Sequence, residues 1–262
     1  MGGTWHRSCG RRLSDRRAPA AHLWRYNPRV TKTLRWDVDE RTSAAATAYP
    51  FGIDRGAPAP QFGGCVTSTE TWSDRVVQPQ TWGYGSLTSS PAEIIGQFQG
   101  GHYTQALALV VSWGGMGRTS QYIYGVPKPE TIENIEGTLR ASAKSIEEMG
   151  SIAAPWEMLT GRKSGQLGWS SVMASKTLHF LCRSLGFDEN PPVPIDRERI
   201  RKKLWPIFRD AIPFTQRPLD WEGDSFEAYC RYMSAILAWA AAKRWTTAQI
   251  ESTIVNIIDQ KG

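Results

Sequence analysis

Apolar residues recur every three or four positions along the second two-thirds of the chain, which is the spacing of amphipathic α-helices. Ser90-Pro91 is typical of an N-cap followed by proline at the first helical position, and Gly100-Gly101 and Gly150 mark helix ends. Helices are predicted at residues 91–99, 103–113, 131–149, 154–159, 170–185, 197–210, after a cap at Asp224, and after a cap at Thr246. No segment after residue 89 alternates as a strand does, so the body of the chain is predicted to be an all-α array.

One predicted helix, residues 131–149, has a well-defined apolar stripe. The stripe consists of Ile132, Ile135, Leu139, Ala143, Ile146 and Met149.

The first 89 residues lack this periodicity. Residues 1–20 are rich in Arg, Ala and Ser and are predicted to be a disordered basic tail. Residues 21–89 contain scattered prolines and glycines and are predicted to form an irregular N-terminal lobe, in which residues 33–38 and 65–72 are short strands or extended loops. The helical core is accordingly predicted to span residues 90–262.

The distribution of charged residues and of cysteines limits the classes of function that the chain can have. The formal net charge of the chain is +6, and the arginines of the first thirty residues account for about that excess. A basic arm favours an anionic partner such as nucleic acid; the alternative is a tail that only keeps the chain soluble. The cysteines lie far apart in the chain, which indicates reduced thiols in a cytoplasmic protein, at Cys9, Cys65, Cys182 and Cys230.

Several classes of protein are excluded by what the sequence lacks. No apolar run approaches the ~18 residues of a membrane span, and the N-terminal arginines precede no apolar segment of the kind that a secretory signal requires. The cysteines form no CxxC pair and the histidines no ligand pattern, so neither a metal nor another cofactor is expected. No obligate protein partner is indicated.

Two ionisable residues occupy informative places between residues 165 and 208. Lys176 lies within the predicted helix 170–185, and Asp196 stands where the N-cap of the following helix belongs. Each has a simpler interpretation: Lys176 would lie on a solvated helix face, and Asp196 would only cap a helix, where the dipole favours a carboxylate. Spacing alone does not choose between these interpretations and a functional one.

The two stretches around these residues, taken together, resemble a known motif. They read LGWSSVMASK at 167–176 and VPID at 193–196, and they resemble the helix–hairpin–helix motif of DNA glycosylases, within them the 8-oxoguanine glycosylase branch. The resemblance covers about residues 90–260 and is closest to compact bacterial proteins of that fold, some of which act on phage DNA carrying glucosylated hydroxymethylcytosine. It implies that Lys176 is the nucleophile and Asp196 the carboxylate that stabilises a cationic sugar.

The resemblance also implies where DNA is bound, although the hairpin departs from the family's L-P-G-V-G-x-K pattern, since no glycine follows Gly168 up to Lys176. The residues that it assigns to DNA contacts are Gly165, Gln166, Gly168, Trp169, Ser170, Ser171 and Ser175. The target base must leave the duplex stack and enter a slot lined by apolar and polar groups. The residues proposed for that slot, each of which has a core interpretation as its alternative, are Trp113, Arg118, Tyr122, His179, Phe180 and Trp239.

The expected function follows from this chemistry. Cleavage of an N-glycosidic bond builds positive charge on the sugar, which a nearby carboxylate stabilises. An amine nucleophile must be neutral, and free lysine has a pKa of about 10.4, so desolvation or neighbouring cations are required. We therefore expect a glycosylase that flips a modified base out of double-stranded DNA and leaves an abasic site, with lyase activity if the amine forms a Schiff base.

Several alternatives remain for the substrate and the class of protein. The Pro- and Gly-rich lobe favours a hypermodified phage cytosine, in antiviral defence, over the oxidised purine of 8-oxoguanine-type repair. A non-catalytic DNA-binding module that uses the hairpin for phosphate contacts is an alternative from a different class. A helical scaffold that binds another protein is a third.

Overall fold

The computed structural model of the chain describes residues 32–48, 67–68, 86–87, 90–113, 129–161, 163–195 and 225–250. These residues are mostly helical, as the sequence predicts. The helices are α1 Glu40–Ala48, α2 Pro91–Gln99, α3 Tyr103–Trp113, α4 Pro129–Met149, α5 Ala153–Thr160, α6 Ser171–Ser184 and α7 Phe226–Lys243, and residues 247–250 are also helical. Two short antiparallel strands, β1 Thr67–Ser68 and β2 Ser86–Leu87, pair with Thr67 opposite Leu87.

The ends of α2 and α6 lie where the sequence predicts them. Ser90 precedes α2, and its Oγ accepts a hydrogen bond from the Glu93 amide at 3.2 Å. Ser170 precedes α6, and its Oγ accepts from the Met173 amide at 3.4 Å. These side chains satisfy amides that have no partner within the helix. At the end of α2, Gly101 has a φ of 75°, a conformation that favours glycine.

Two helix boundaries differ slightly from prediction. Helix α4 begins at Pro129, two residues before the predicted start. The N-cap of α7 is Ser225, whose Oγ accepts from the Ala228 amide at 3.4 Å, and not Asp224, which lies outside the described residues. The last helix has its predicted cap, because Thr246 Oγ1 accepts from the Gln249 amide at 3.2 Å.

The predicted stripe of α4 is buried except at its end. Met149 is 64% exposed, whereas the described residues before it on the stripe are buried: Ile135, Leu139, Ala143 and Ile146. At 100° per residue, Met149 lies about 80° away from the direction of Leu139. It therefore lies at the edge of the stripe, outside the buried face of α4.

Helix α1 was not predicted. Asp39 precedes it, and its Oδ2 accepts a hydrogen bond from the Thr42 amide at 3.2 Å, as an N-cap side chain does. The helix packs against α7, where Trp239 Nε1 donates to the Ala46 carbonyl at 2.8 Å. Because Leu34 and Ala46 belong to the main hydrophobic core, residues 32–48 form part of the helical body.

Residues 33–38 adopt the loop alternative and not the strand. They have no regular secondary structure. The Arg35 amide donates to the Gly150 carbonyl at 2.7 Å, and Trp36 Nε1 donates to the Asn190 carbonyl at 3.2 Å. The segment therefore lies along the helical body. Strand β1, in contrast, falls within the predicted residues 65–72.

Helix α6 occupies the centre of the fold. It packs against α2, α3, α4 and α5, and nearly all of its residues are buried, on every side of the helix. Between the neighbouring helices α5 and α7, the Trp156 ring stacks on the Tyr229 ring with centroids 4.4 Å apart and planes 18° from parallel. A side chain of α6 therefore reaches its partners inside the protein.

Some predictions lie outside the described residues: the tail 1–20, the helix at 197–210, and the part of the last helix beyond residue 250. Among the residues that are described, no helix is both long enough and apolar enough to cross a membrane.

Candidate functional site

Helices α5 and α6 are joined by a tight hairpin at residues 161–170. Backbone hydrogen bonds close it: among them, Leu167 N donates to Met158 O at 3.1 Å, Gly168 N to Gly161 O at 2.9 Å, and Trp169 N to Leu159 O at 2.8 Å. Gly165 and Gly168 have φ values of 84° and 63°, which only glycine adopts at little cost. The chain thus forms helix, hairpin and helix in succession.

The residues predicted to contact DNA differ in exposure. Gly165 and Gly168 are exposed, and Gln166 and Ser170 are partly exposed. The remaining three are buried: Trp169, Ser171 and Ser175. The hairpin uses the amides of Gly168 and Trp169 for its own hydrogen bonds. A phosphate at this turn would therefore meet its glycine-lined surface and the start of α6.

Lys163 was missed by the sequence analysis. It is exposed in the hairpin, and its amide donates to Gln166 Oε1 at 2.8 Å. The available signal was the basic pair Arg162-Lys163 before Gly165, which stands just outside the stretch that carries the resemblance. An exposed cation on a turn suits contact with a phosphate backbone.

Lys176 is buried. It lies in the second turn of α6 with 7% of its surface exposed, between Ser175 and Thr177, which are both at 0%. Lysine is almost never this buried unless it is paired. The alternative in which Lys176 lies on a solvated helix face is therefore wrong.

Asp196 lies outside the described residues, but the residue before it is described. The Ile195 amide donates to Ser175 Oγ at 3.0 Å, and that hydroxyl also donates to the Val172 carbonyl at 3.1 Å. Ser175 immediately precedes Lys176 in α6. The structure thus brings the chain that enters Asp196 to the turn of α6 that carries Lys176, and it uses the Ser175 hydroxyl inside the fold.

Two residues predicted for the base slot are core residues in this structure. Phe180 is 0% exposed, and the Trp113 ring packs edge-on against it with centroids 4.9 Å apart. Trp239 is 3% exposed, and its Nε1 donates to the Ala46 carbonyl. Neither Phe180 nor Trp239 offers a ring face on which a base could stack. Arg118 and Tyr122 lie outside the described residues.

His179 holds a neighbouring segment of the chain. It is buried, and its Nδ1 lies 2.7 Å from the Pro192 carbonyl, which can only accept, so the proton is assigned to Nδ1. Its Nε2 lies 3.5 Å from Arg183 Nη1. Burial and, second, the Arg183 charge lower the pKa of His179 to about 3. The ring is therefore neutral, and its donor is used by Pro192.

The two described cysteines, Cys182 and Cys230, are buried free thiols. Burial raises the pKa of both, that of Cys230 to about 12, so neither is an activated nucleophile. Within the described ranges, no three His, Cys, Asp or Glu side chains cluster as metal ligands would.

Comparison with known proteins adds no family to this picture. No protein-family model matches the chain, and no characterised protein or solved structure gives a significant match. The site is therefore interpreted from its own residues and geometry.

Proposed function

We propose that the protein is a DNA glycosylase that flips a modified base out of double-stranded DNA and cleaves its N-glycosidic bond through Lys176 and Asp196. The observation that best supports this proposal is the burial of Lys176 beside the hydrogen bond from Ile195 to Ser175. The stretches LGWSSVMASK and VPID, which resemble the glycosylase motif, are joined in space by that bond.

The proposed reaction uses the two side chains in different roles. The neutral Lys176 amine attacks C1′ of the deoxyribose as the bond from C1′ to the base breaks. The departing base takes the bonding electron pair and a proton. The Asp196 carboxylate stabilises the positive charge that builds on the sugar in the transition state. Opening of the sugar ring then leaves a Schiff base on Lys176, which water hydrolyses to an abasic site.

Burial supports this division of roles. Charges interact more strongly where water is excluded, because the effective dielectric constant is lower there. Lys176 lies on the central helix of the fold with 7% of its surface exposed, so water screens little of any charge that develops beside it.

The hairpin supplies the surface for DNA in this proposal. Gly165, Gly168 and Lys163 are exposed on the turn that leads into α6. Glycine allows a phosphate to approach the backbone closely, and an exposed lysine adds attraction that fixes position without reading the sequence.

We propose a hypermodified cytosine, such as the glucosylated hydroxymethylcytosine of phage DNA, as the substrate, which would make the enzyme part of antiviral defence. The resemblance is closest to compact bacterial proteins of the glycosylase fold, some of which act on such DNA. The alternative substrate is an oxidised purine such as 8-oxoguanine. One experiment distinguishes the two substrates.

The experiment counts abasic sites in three duplexes: unmodified, containing 8-oxoguanine, and containing glucosylated hydroxymethylcytosine. We expect abasic sites in one modified duplex only. Asp196→Asn should abolish them while DNA affinity and melting temperature change little. If Asp196→Asn only unfolds the protein, the residue is a helix cap.

The remaining outcomes identify the alternatives. DNA binding that weakens with salt, without abasic sites in any duplex, would indicate a non-catalytic DNA-binding module. Absence of DNA binding would favour a helical scaffold for another protein.

A further inference from the structure

Residues 190–195 run through the interior without regular secondary structure. Pro191 to Ile195 are all buried, and the prolines at 191, 192 and 194 favour an extended backbone. A buried segment outside helices and sheets has no ladder to satisfy its carbonyl and amide groups, so each needs another partner. We call residues 190–195 the buried segment.

Side chains from several elements supply partners for the carbonyls of the buried segment. Trp36 Nε1 donates to the Asn190 carbonyl at 3.2 Å, and Thr247 Oγ1 to the Pro191 carbonyl at 3.4 Å. His179 Nδ1 donates to the Pro192 carbonyl at 2.7 Å, and the Tyr229 hydroxyl to the Val193 carbonyl at 2.9 Å. Four successive carbonyls are thus each bonded to a different side chain.

Side chains also accept hydrogen bonds from the amides of Val193 and Ile195. Val193 N donates to Met233 Sδ at 3.4 Å, and Ile195 N donates to Ser175 Oγ at 3.0 Å. The three prolines carry no amide. The backbone of the buried segment is therefore held at the carbonyls of residues 190–193 and at two amides, and its last described residue is bonded to α6.

We propose that Ser175, His179 and Tyr229 are positioning residues that fix the direction from which the chain presents Asp196 to the substrate. The inference rests on the proposed function. Ser175 and His179 flank Lys176 on α6, so the buried segment is aligned to the helix that carries the amine. Tyr229 of α7 donates to the Val193 carbonyl, and its ring stacks on that of Trp156.

Positioning residues are needed because the reaction requires its groups to be placed precisely. A displacement of about 1 Å at a reacting group can lower a rate by about 100-fold. A segment without a hydrogen-bonded ladder can shift by that amount unless its backbone groups are held individually. Two of these bonds come from α6, at Ser175 and His179 on either side of Lys176 in the sequence, and the one from Ser175 holds the amide of Ile195, the residue before Asp196.

The test compares Ser175→Ala and Tyr229→Phe with a matched control, Ser184→Ala. The Ser184 hydroxyl is also buried in α6, but it donates to the Leu181 carbonyl at 2.7 Å within the helix and makes no described bond to the buried segment. The single-turnover rate of base release, the Kd for substrate DNA and the melting temperature are measured for each variant.

We expect Ser175→Ala and Tyr229→Phe to lower the rate of base release by about 10- to 100-fold, with the Kd changed less than about twofold. Ser184→Ala should lose stability without a comparable loss of rate. Ser175→Thr, which keeps a hydroxyl, should recover most of the rate.

Other results would overturn the inference in distinguishable ways. If the wild-type protein releases bases and the folded variants keep its rate, Ser175 and Tyr229 only stabilise the fold and the positioning role fails alone. If the wild-type protein releases no base from any modified duplex, the proposed function fails, and the positioning role with it.

Discussion

Protonation of His179 is expected to weaken the fold as the pH falls. Its burial and the charge of Arg183 lower its pKa from 6.5 to about 3 in the folded protein, whereas in the unfolded chain the imidazole titrates near 6.5. Between these values the unfolded state binds more protons than the folded state. The stability that the neutral imidazole contributes is therefore fully present above about pH 6.5 and is lost as the pH falls towards 3.

The size of the effect follows from the two pKa values. Linkage gives a loss of about 2 kcal/mol in the free energy of unfolding between pH 7.5 and pH 5, since one pH unit corresponds to about 1.4 kcal/mol once the unfolded imidazole is protonated. Most single domains are stable by only about 5–15 kcal/mol. A change of about 2 kcal/mol is therefore measurable and is a considerable fraction of the total stability.

Urea unfolding at pH 7.5 and pH 5 tests this for the wild-type protein and for His179→Asn. The asparagine amide keeps a donor near the position of Nδ1 but does not titrate. Other groups titrate in both proteins, so the difference between their pH-dependent losses isolates the imidazole. We expect the wild-type protein to lose about 2 kcal/mol more than the variant. Equal losses would refute a buried neutral His179.

Two further predictions concern the hairpin and the thiols. Gly168→Ala should lower the free energy of unfolding by about 1–2 kcal/mol, because φ is 63° at that position. Gly137→Ala within α4 should raise it by about 0.5–1 kcal/mol, since an added Cβ would have open space there. Thermal or urea unfolding should therefore show changes in stability of opposite sign for the two variants. In a variant without the other two cysteines, Cys182 and Cys230 should react with a thiol reagent only after unfolding, and rapid labelling of the native protein would contradict their burial.

Helix ends could be predicted where the local sequence decides them. A serine before the first helical residue and glycines after the last define α2, at Ser90 and Gly100-Gly101, and Ser170 likewise starts α6. These signals act through hydrogen bonds and backbone freedom within a few residues. No distant contact is needed to interpret them.

Helix α1 could not be predicted in the same way. It has nine residues, and an isolated helix shorter than about 12–15 residues is only marginally stable in water. Its contacts come from α7, where Trp239 donates to Ala46. The sequence around Glu40 does not contain that information, although Asp39 and the alanines that follow are compatible with a helix.

The burial of Lys176 could not be predicted from the pattern of apolar residues either. Ser175, Lys176 and Thr177 are consecutive, so they point to different sides of α6, yet all three are buried. Periodicity identifies a buried face only when a helix is exposed on its other face. The neighbours that cover α6 on several sides come from distant parts of the chain.

The central claim is that the Lys176 amine attacks the sugar of the flipped nucleotide. Borohydride reduces a Schiff base between enzyme and DNA to a stable covalent adduct, and peptide mass spectrometry locates the modified residue. We predict an adduct on Lys176 with substrate DNA and none with Lys176→Gln. Release of the base by wild-type protein without any adduct on Lys176 would contradict the nucleophile and leave Asp196 to activate water.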